Sequence, residues 1–276
     1  MQPLDQISTF MRLIFHSVYA GLRKSFKGFL LSGMQLSSIC ILLSGVATAQ
    51  EEINNEYRVT FVPTYPVSKK IFLTTYLGYV NIPNLKHINY YVGAPLLVTY
   101  RIHPIVEVMA GAFLVINRPE EGLDHTEVRP LAGLKLMLPN DHQINIYNWT
   151  RYEYRSFHYA DDESLDNVKN RLRNRIGIEL PLSKNAWQPK TLYALTDFEF
   201  FYTFEKGYFD RFRERLGLGY IMDAHWKVEM IFHIQMVRAS EDLNPVWTDN
   251  IWRLNIKWTI PHVKHGPVAH PPDVED

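Results

Sequence analysis

The sequence predicts an all-β fold, a transmembrane antiparallel up-and-down β-barrel of about ten strands, with twelve as the alternative count. Three observations predict it. From Ile71 to Ile260 the apolar residues recur with a period of two, not 3.6. The alternating runs span about twelve to sixteen residues, beyond the usual five or six of a soluble strand and enough to cross a bilayer at a tilt, which takes about 9–11. Short turns (His103-Pro104, Pro139-Asn140-Asp141, Asp223-Ala224) alternate with longer polar loops at 118–125, 158–167 and 239–247, the two-ended pattern of outer-membrane barrels.

Composition narrows the field. The 276 residues carry 29 Lys+Arg against 29 Asp+Glu, with 46% hydrophobic and 13% aromatic residues and one cysteine. A balanced charge argues against an electrostatic nucleic-acid binder, and abundant aromatics argue against disorder. Cys40 alone can build neither a disulfide framework nor a thiolate zinc site. No phosphate-binding glycine loop or metalloprotease helix motif is present, so no cofactor is expected.

Taken in order, residues 1–49 read as a signal peptide. Arg23, Lys24 and Lys27 precede the apolar stretch Phe29 to Val46, and Ala47-Thr48-Ala49 supplies small residues for cleavage before Gln50. The competing readings are an uncleaved anchor, whose apolar core would be short and polar-speckled, and a lipoprotein signal acylated at Cys40, where Ile39 is bulky. Met11 and Met34 are alternative starts. Cleavage removes Arg12, Arg23, Lys24, Lys27 and Asp5, leaving 25 basic and 28 acidic side chains and no cysteine.

Residues 50–69 are expected to be a periplasmic lead-in or partial strand. Tyr57 to Thr64 looks like an eleventh strand, but a barrel with both termini in the periplasm needs an even number. The barrel proper is expected over 70–260. Strands follow at about 70–81, 89–101, 105–117, 126–138, 142–157, 168–181 and 190–205. In the next, Arg211, Arg213, Arg215, Gly217 and Gly219 share one face, and Phe212, Leu216, Leu218 and Tyr220 the other. Trp226 to Met236 and Trp252 to Ile260 repeat the alternation, with Lys227, Glu229, His233, Gln235, Arg253, Asn255 and Lys257 on their polar faces. Tyr90, Tyr100, Tyr152, Tyr154, Trp226 and Trp258 stand near strand ends, where a membrane girdle would put them. Residues 261–276, proline-rich and without an apolar period, read as a disordered tail; His262, His265 and His270 there lack the supporting shell that fixes metal ligands.

A soluble periplasmic β-sandwich binding protein also alternates, but it would bury the apolar face against a second sheet and expose the charged one. In the barrel the charges line the lumen. Lys169, Arg171, Arg173 and Arg175 face Asp197, Glu199 and Glu205, which face Arg211, Arg213 and Arg215; Arg151, Glu153 and Arg155 extend the ladder. Opposed charge pairs hold register, and incompletely paired arginines would form an anion-attracting wall. Ten strands enclose a narrow lumen, so large-solute passage is not expected.

Chemistry has one candidate. Lipid hydrolases of outer membranes place a serine and a histidine on the lipid-facing side, where the base activates the nucleophile beside an acyl chain. Ser156 and His158 share that parity, with Asp161, Asp162 and Glu163 nearby, but no glycine-bearing oxyanion element follows. Two solvated residues at a loop mouth are the blander reading. Asn148-Trp149-Thr150 matches a glycosylation sequon but falls mid-strand.

The runs Tyr152-Glu153-Tyr154-Arg155, Asn170 to Glu179 (Asn-Arg-Leu-Arg-Asn-Arg-Ile-Gly-Ile-Glu) and Phe209 to Tyr220 (Phe-Asp-Arg-Phe-Arg-Glu-Arg-Leu-Gly-Leu-Gly-Tyr) resemble the uncharacterised outer-membrane barrel family called domain of unknown function 2490. The resemblance covers most of residues 55–260. It implies a fold and a location and no reaction. Two departures stand out: Tyr57 where the family has an early tryptophan, and Thr259, Ile260 and a tail after Trp258.

The expectation is therefore an exported outer-membrane barrel of a Gram-negative-type cell. Its partners would be membrane lipid and, during biogenesis, the barrel-insertion machinery. Its role is expected to be non-enzymatic: structural, docking or narrow solute passage. An outer-membrane lipid hydrolase and a soluble periplasmic binding protein are the alternatives.

Overall fold

Alternating apolar and polar residues form thirteen strand segments: β1 (Asn54–Pro66), β2 (Ile71–Thr74), β3 (Leu77–Ile82), β4 (His87–Val92), β5 (Leu97–His103), β6 (Val106–Arg118), β7 (His125–Leu138), β8 (Asn145–Tyr159), β9 (Asn167–Pro181), β10 (Thr191–Thr203), β11 (Tyr208–Ile221), β12 (Trp226–Val237) and β13 (Val246–Thr259). The computed structural model describes residues 53–83, 87–92 (backbone), 97–119, 123–140, 143–160, 163–183 and 186–261. The expected signal peptide with Cys40, and the tail with His262, His265 and His270, lie outside the described residues.

The segments make one closed sheet. Each strand from β6 to β12 pairs antiparallel with the next. β2 and β3 occupy one place in the wall beside β1, and β4 and β5 occupy the next, against β6. β2 and β3 share one register against β1 and part opposite Pro63. Proline has no N–H to give, which removes a ladder bond; the Thr75 N–H still donates to the Pro63 carbonyl at 3.0 Å.

Eleven staves result, where the sequence predicts ten or twelve, and the barrel is mixed rather than wholly antiparallel. The eleventh is β1. Read from the sequence as a lead-in, it is a full strand that pairs parallel with β13 from Asn54↔Asp249 to Thr64↔Thr259. The even-number rule assumes that first and last strands run in opposite directions. A parallel seam closes an odd barrel equally well, because every edge N–H and C=O still finds a partner.

The seam fixes which ends of the strands share a rim. One rim, the short-turn rim, gathers the ends of β1, β5, β7, β9, β11 and β13 with the starts of β2, β6, β8, β10 and β12. The other, the rim of the longer connections, gathers the starts of β1, β4, β7, β9, β11 and β13 with the ends of β3, β6, β8, β10 and β12. The polarity is inverted relative to a protein folded in water. Outward positions hold Leu134, Leu136, Ile176, Leu216, Leu218, Met230 and Trp252, all exposed, while Arg151, Glu153, Arg173, Glu199, Glu229 and His233 are buried inside. An apolar cluster including Tyr76, Leu97, Met109, Phe113, Leu131 and Trp149 fills the lumen on the β1–β8 side.

Candidate functional site

Period-two alternation aims the odd-numbered residues of β8 to β11 at the lumen, and antiparallel register sets acid beside base. Glu153, fully buried, forms ion pairs with three guanidiniums, Arg151 at 2.7 Å, Arg171 at 2.5 Å and Arg173 at 2.9 Å, and accepts hydrogen bonds from the last two. Glu199 on β10 accepts from Arg173 at 2.8 Å and Arg175 at 3.1 Å, and Asp197 pairs with Arg215 across on β11. Phe201 sits among the arginines, with the guanidiniums of Arg173, Arg213 and Arg171 at 4.7, 5.0 and 5.1 Å from its ring centre. One position read as lumenal differs. Glu205 stands in the turn beyond β10, where its carboxylate accepts from the Asn170 N–H at 2.6 Å. It lies past the last rung of the β9–β10 ladder, Thr203↔Arg171, where alternation no longer dictates direction. Lys169 is exposed at the rim but still pairs with Arg155 and keeps its lumenal face, its ammonium 5.3 Å from the Phe157 ring centre.

Toward the rim of the longer connections the lumen opens into a cavity of about 190 Å³. Arg58, Arg129, Arg155, Arg171, Arg173, Arg211 and Arg213 line it, against two carboxylates, Glu56 and Glu127. Glu127 is shared by Arg129 and Arg155, at 2.7 and 2.6 Å. Arg211 has Phe201 beneath it, with its guanidinium 6.0 Å from the ring centre; among the described residues its side chain makes no hydrogen bond or ion pair. The sequence shows the arginines of β8, β9 and β11; Arg58 and Arg129 escape it because β1 is set aside and β7 supplies one arginine in a largely apolar run.

On the outer wall at the same rim, Ser156 and His158 stand two residues apart on one face of β8. Ser156 Oγ lies 2.9 Å from His158 Nε2, and His158 Nδ1 lies 3.0 Å from Asp166 Oδ2. The other Asp166 oxygen accepts the Tyr159 N–H at 2.9 Å. That N–H and His158, in that order, hold the Asp166 carboxyl below the usual aspartate range. The acid is none of those expected: Asp161 and Asp162 lie outside the described residues, and Glu163 belongs to a single 3-10 turn, Glu163–Leu165. The signal lies in the hairpin register. Phe157↔Asn167 is the outermost pair, so one step further sets Asp166 against His158.

Among the described residues no three His, Cys, Asp or Glu side chains converge on a metal site. Asn148 of the sequon hydrogen-bonds Asn174 at 3.2 Å within the ladder. The fold and its surfaces thus define a class: a closed β-barrel with an apolar exterior, an ion-paired lumen and one cationic mouth. The chain belongs to the family described as protein of unknown function (DUF2490), which matches residues 63–244. No curated protein and no solved structure matches it.

Proposed function

We propose that the chain is an integral outer-membrane barrel, exported with a cleaved leader, that offers no general pore. The inverted polarity carries this reading. Leaving one large apolar side chain in water rather than burying it costs about 1.5–3 kcal/mol, and here Leu136, Ile176, Leu216, Leu218, Met230 and Trp252 are among many that face outward. Soluble monomers rarely show apolar patches beyond a few hundred Å²; a hydrocarbon surround removes the cost. Closure at the β1–β13 seam leaves no open sheet edge, as a bilayer requires. Trp226, Trp258 and Phe61 gather at the short-turn rim, the tryptophan rings 5.6 Å apart, as an interfacial girdle would. The ion-paired lumen supports a closed barrel, whose partners are membrane lipid and the insertion machinery.

The test is fractionation together with comparison of unheated and boiled samples on a denaturing gel. A heat-modifiable band in outer membranes is expected. A soluble periplasmic protein would overturn the reading, and porin-level conductance in planar bilayers would overturn the closed lumen.

The surplus of arginine over carboxylate at the mouth favours a second element, an anion-docking vestibule. Pyrophosphate should raise the unfolding temperature of the detergent-solubilised chain, less so at high salt and less in Arg211→Gln. No shift with the wild type would end the idea.

A further inference from the structure

We propose that Ser156, His158 and Asp166 form a hydrolytic site on the outer wall that cleaves acyl esters of membrane lipid. The atoms are those that serine hydrolysis needs: the nucleophile's oxygen meets Nε2, and the carboxylate meets Nδ1. Such a set is recognised by geometry and roles, not by sequence order. Asp166 is itself fixed from a second side, by the Tyr159 N–H, so the imidazole is held with Nδ1 protonated and Nε2 free to accept.

The surroundings select the substrate. Ser156 is flanked in register by Val128 on β7 and Val168 on β9, both exposed outward. Tyr154 and Tyr152 continue that wall toward mid-barrel, and His158 and Asp166 mark its polar rim. An acyl chain lying along the wall with its head group at the rim brings its ester to Ser156. The choice of a lipid rests on the membrane placement proposed above; the nucleophile does not.

The chemistry closes. As Ser156 Oγ bonds the ester carbonyl carbon, His158 Nε2 takes the hydroxyl proton. The tetrahedral adduct collapses, the bond from that carbon to the alcohol oxygen breaks, and the alcohol leaves with the proton from His158. Water from the rim then attacks the acyl-serine with the same base, the fatty acid departs, and the serine hydroxyl is restored. One water is consumed per ester. Ser156 sits within a ladder paired on both sides, so its own backbone N–H is engaged there and is not an oxyanion-hole donor. One missing donor costs about 10²–10³ in rate, so turnover is slow.

The full chain is folded into phosphatidylethanolamine–phosphatidylglycerol vesicles, with folding of every variant checked by heat modifiability. It is then treated with an alkyl fluorophosphonate and separately assayed for fatty-acid release. The expected results are a phosphonate adduct on the peptide holding Ser156, and release that falls at least about 10³-fold in Ser156→Ala and His158→Ala. Asp166 is a positioning residue: Asp166→Asn should lower release about 10⁴-fold and Asp166→Glu should restore part of it, which a merely structural role would not give. A folded wild type with no adduct, or equal release from Ser156→Ala, overturns the site. An adduct accompanied by hydrolysis of a water-soluble ester but not of vesicle lipid overturns the substrate. Failure of the membrane reading shows separately, as a barrel that does not enter vesicles.

Discussion

The ring of Tyr193 on β10 lies across Gly219 on β11, and its hydroxyl donates to Glu229 on β12. Tyr147 repeats the arrangement, lying across Gly177 to reach Asp197 at 3.3 Å. Each ring is capped by a lysine, Lys227 at 4.6 Å and Lys135 at 4.5 Å from the ring centres. A Cβ at either glycine would enter the ring, so only glycine lets the phenol lie flat on the sheet and span two strands. Gly219→Ala should therefore destabilise by about 1–3 kcal/mol through overpacking, and Tyr193→Ala by about 3–5 kcal/mol. Because the alanine methyl needs the space that the ring vacates, the double variant should cost less than the sum. Urea midpoints of the detergent-refolded protein measure this, and simple additivity would refute the contact.

The seam is tested by cross-linking. Val59 and Leu254 are register partners on the outer wall, within disulfide reach of one another across neighbouring strands. Val59→Cys with Leu254→Cys should cross-link under mild oxidation, while either single variant should not form that bond. A folded barrel that never cross-links would mean that β13 closes onto another strand and that β1 is the lead-in the sequence suggested.

Strand positions and the facing of most charges are legible in the sequence, because alternation alone decides both. Arg173 beside Glu199 and Arg215 beside Asp197 follow once β9, β10 and β11 are set next to each other. Closure is less legible. Tyr57, Val59 and Phe61 already alternate with Glu56, Arg58 and Thr60, but no local feature says that an odd barrel closes through a parallel pair. Contacts across strands need register to within one residue: Asp166 reaches His158 only when the hairpin is counted from Phe157↔Asn167. Gly177 and Gly219 show as small residues on a polar face, and nothing in their own strands announces Tyr147 or Tyr193.

Glu153 holds the centre of the lumen, and its removal separates buried from exposed ion pairs. With Arg151, Arg171 and Arg173 around it, Glu153→Gln leaves three buried guanidiniums without their shared anion. Breaking a buried pair costs about 3–5 kcal/mol. Arg118 and Asp124, nearly half exposed and 3.1 Å apart, should lose at most about 1 kcal/mol in Asp124→Asn. Urea unfolding of both variants decides the matter, and equal costs would mean that water screens the lumen as it does the rim.

Acid should loosen the loop at Asp166 before it disturbs the barrel. The Tyr159 N–H and His158 depress the folded carboxyl below the usual aspartate range, so the folded form binds its proton less readily than the unfolded one. That stabilisation is complete above the unfolded value of about 3.9 and is lost as pH falls through the lower, folded value. The anchor is exposed and local, so the far-ultraviolet dichroism of the strands should not change across this window. The Tyr159 amide resonance in micelles should titrate with a midpoint below that of an ordinary aspartate, and Asp166→Asn should abolish the titration. A midpoint at the ordinary value would show that the carboxylate does not hold Tyr159 and His158 together, and the imidazole would then have no fixed tautomer.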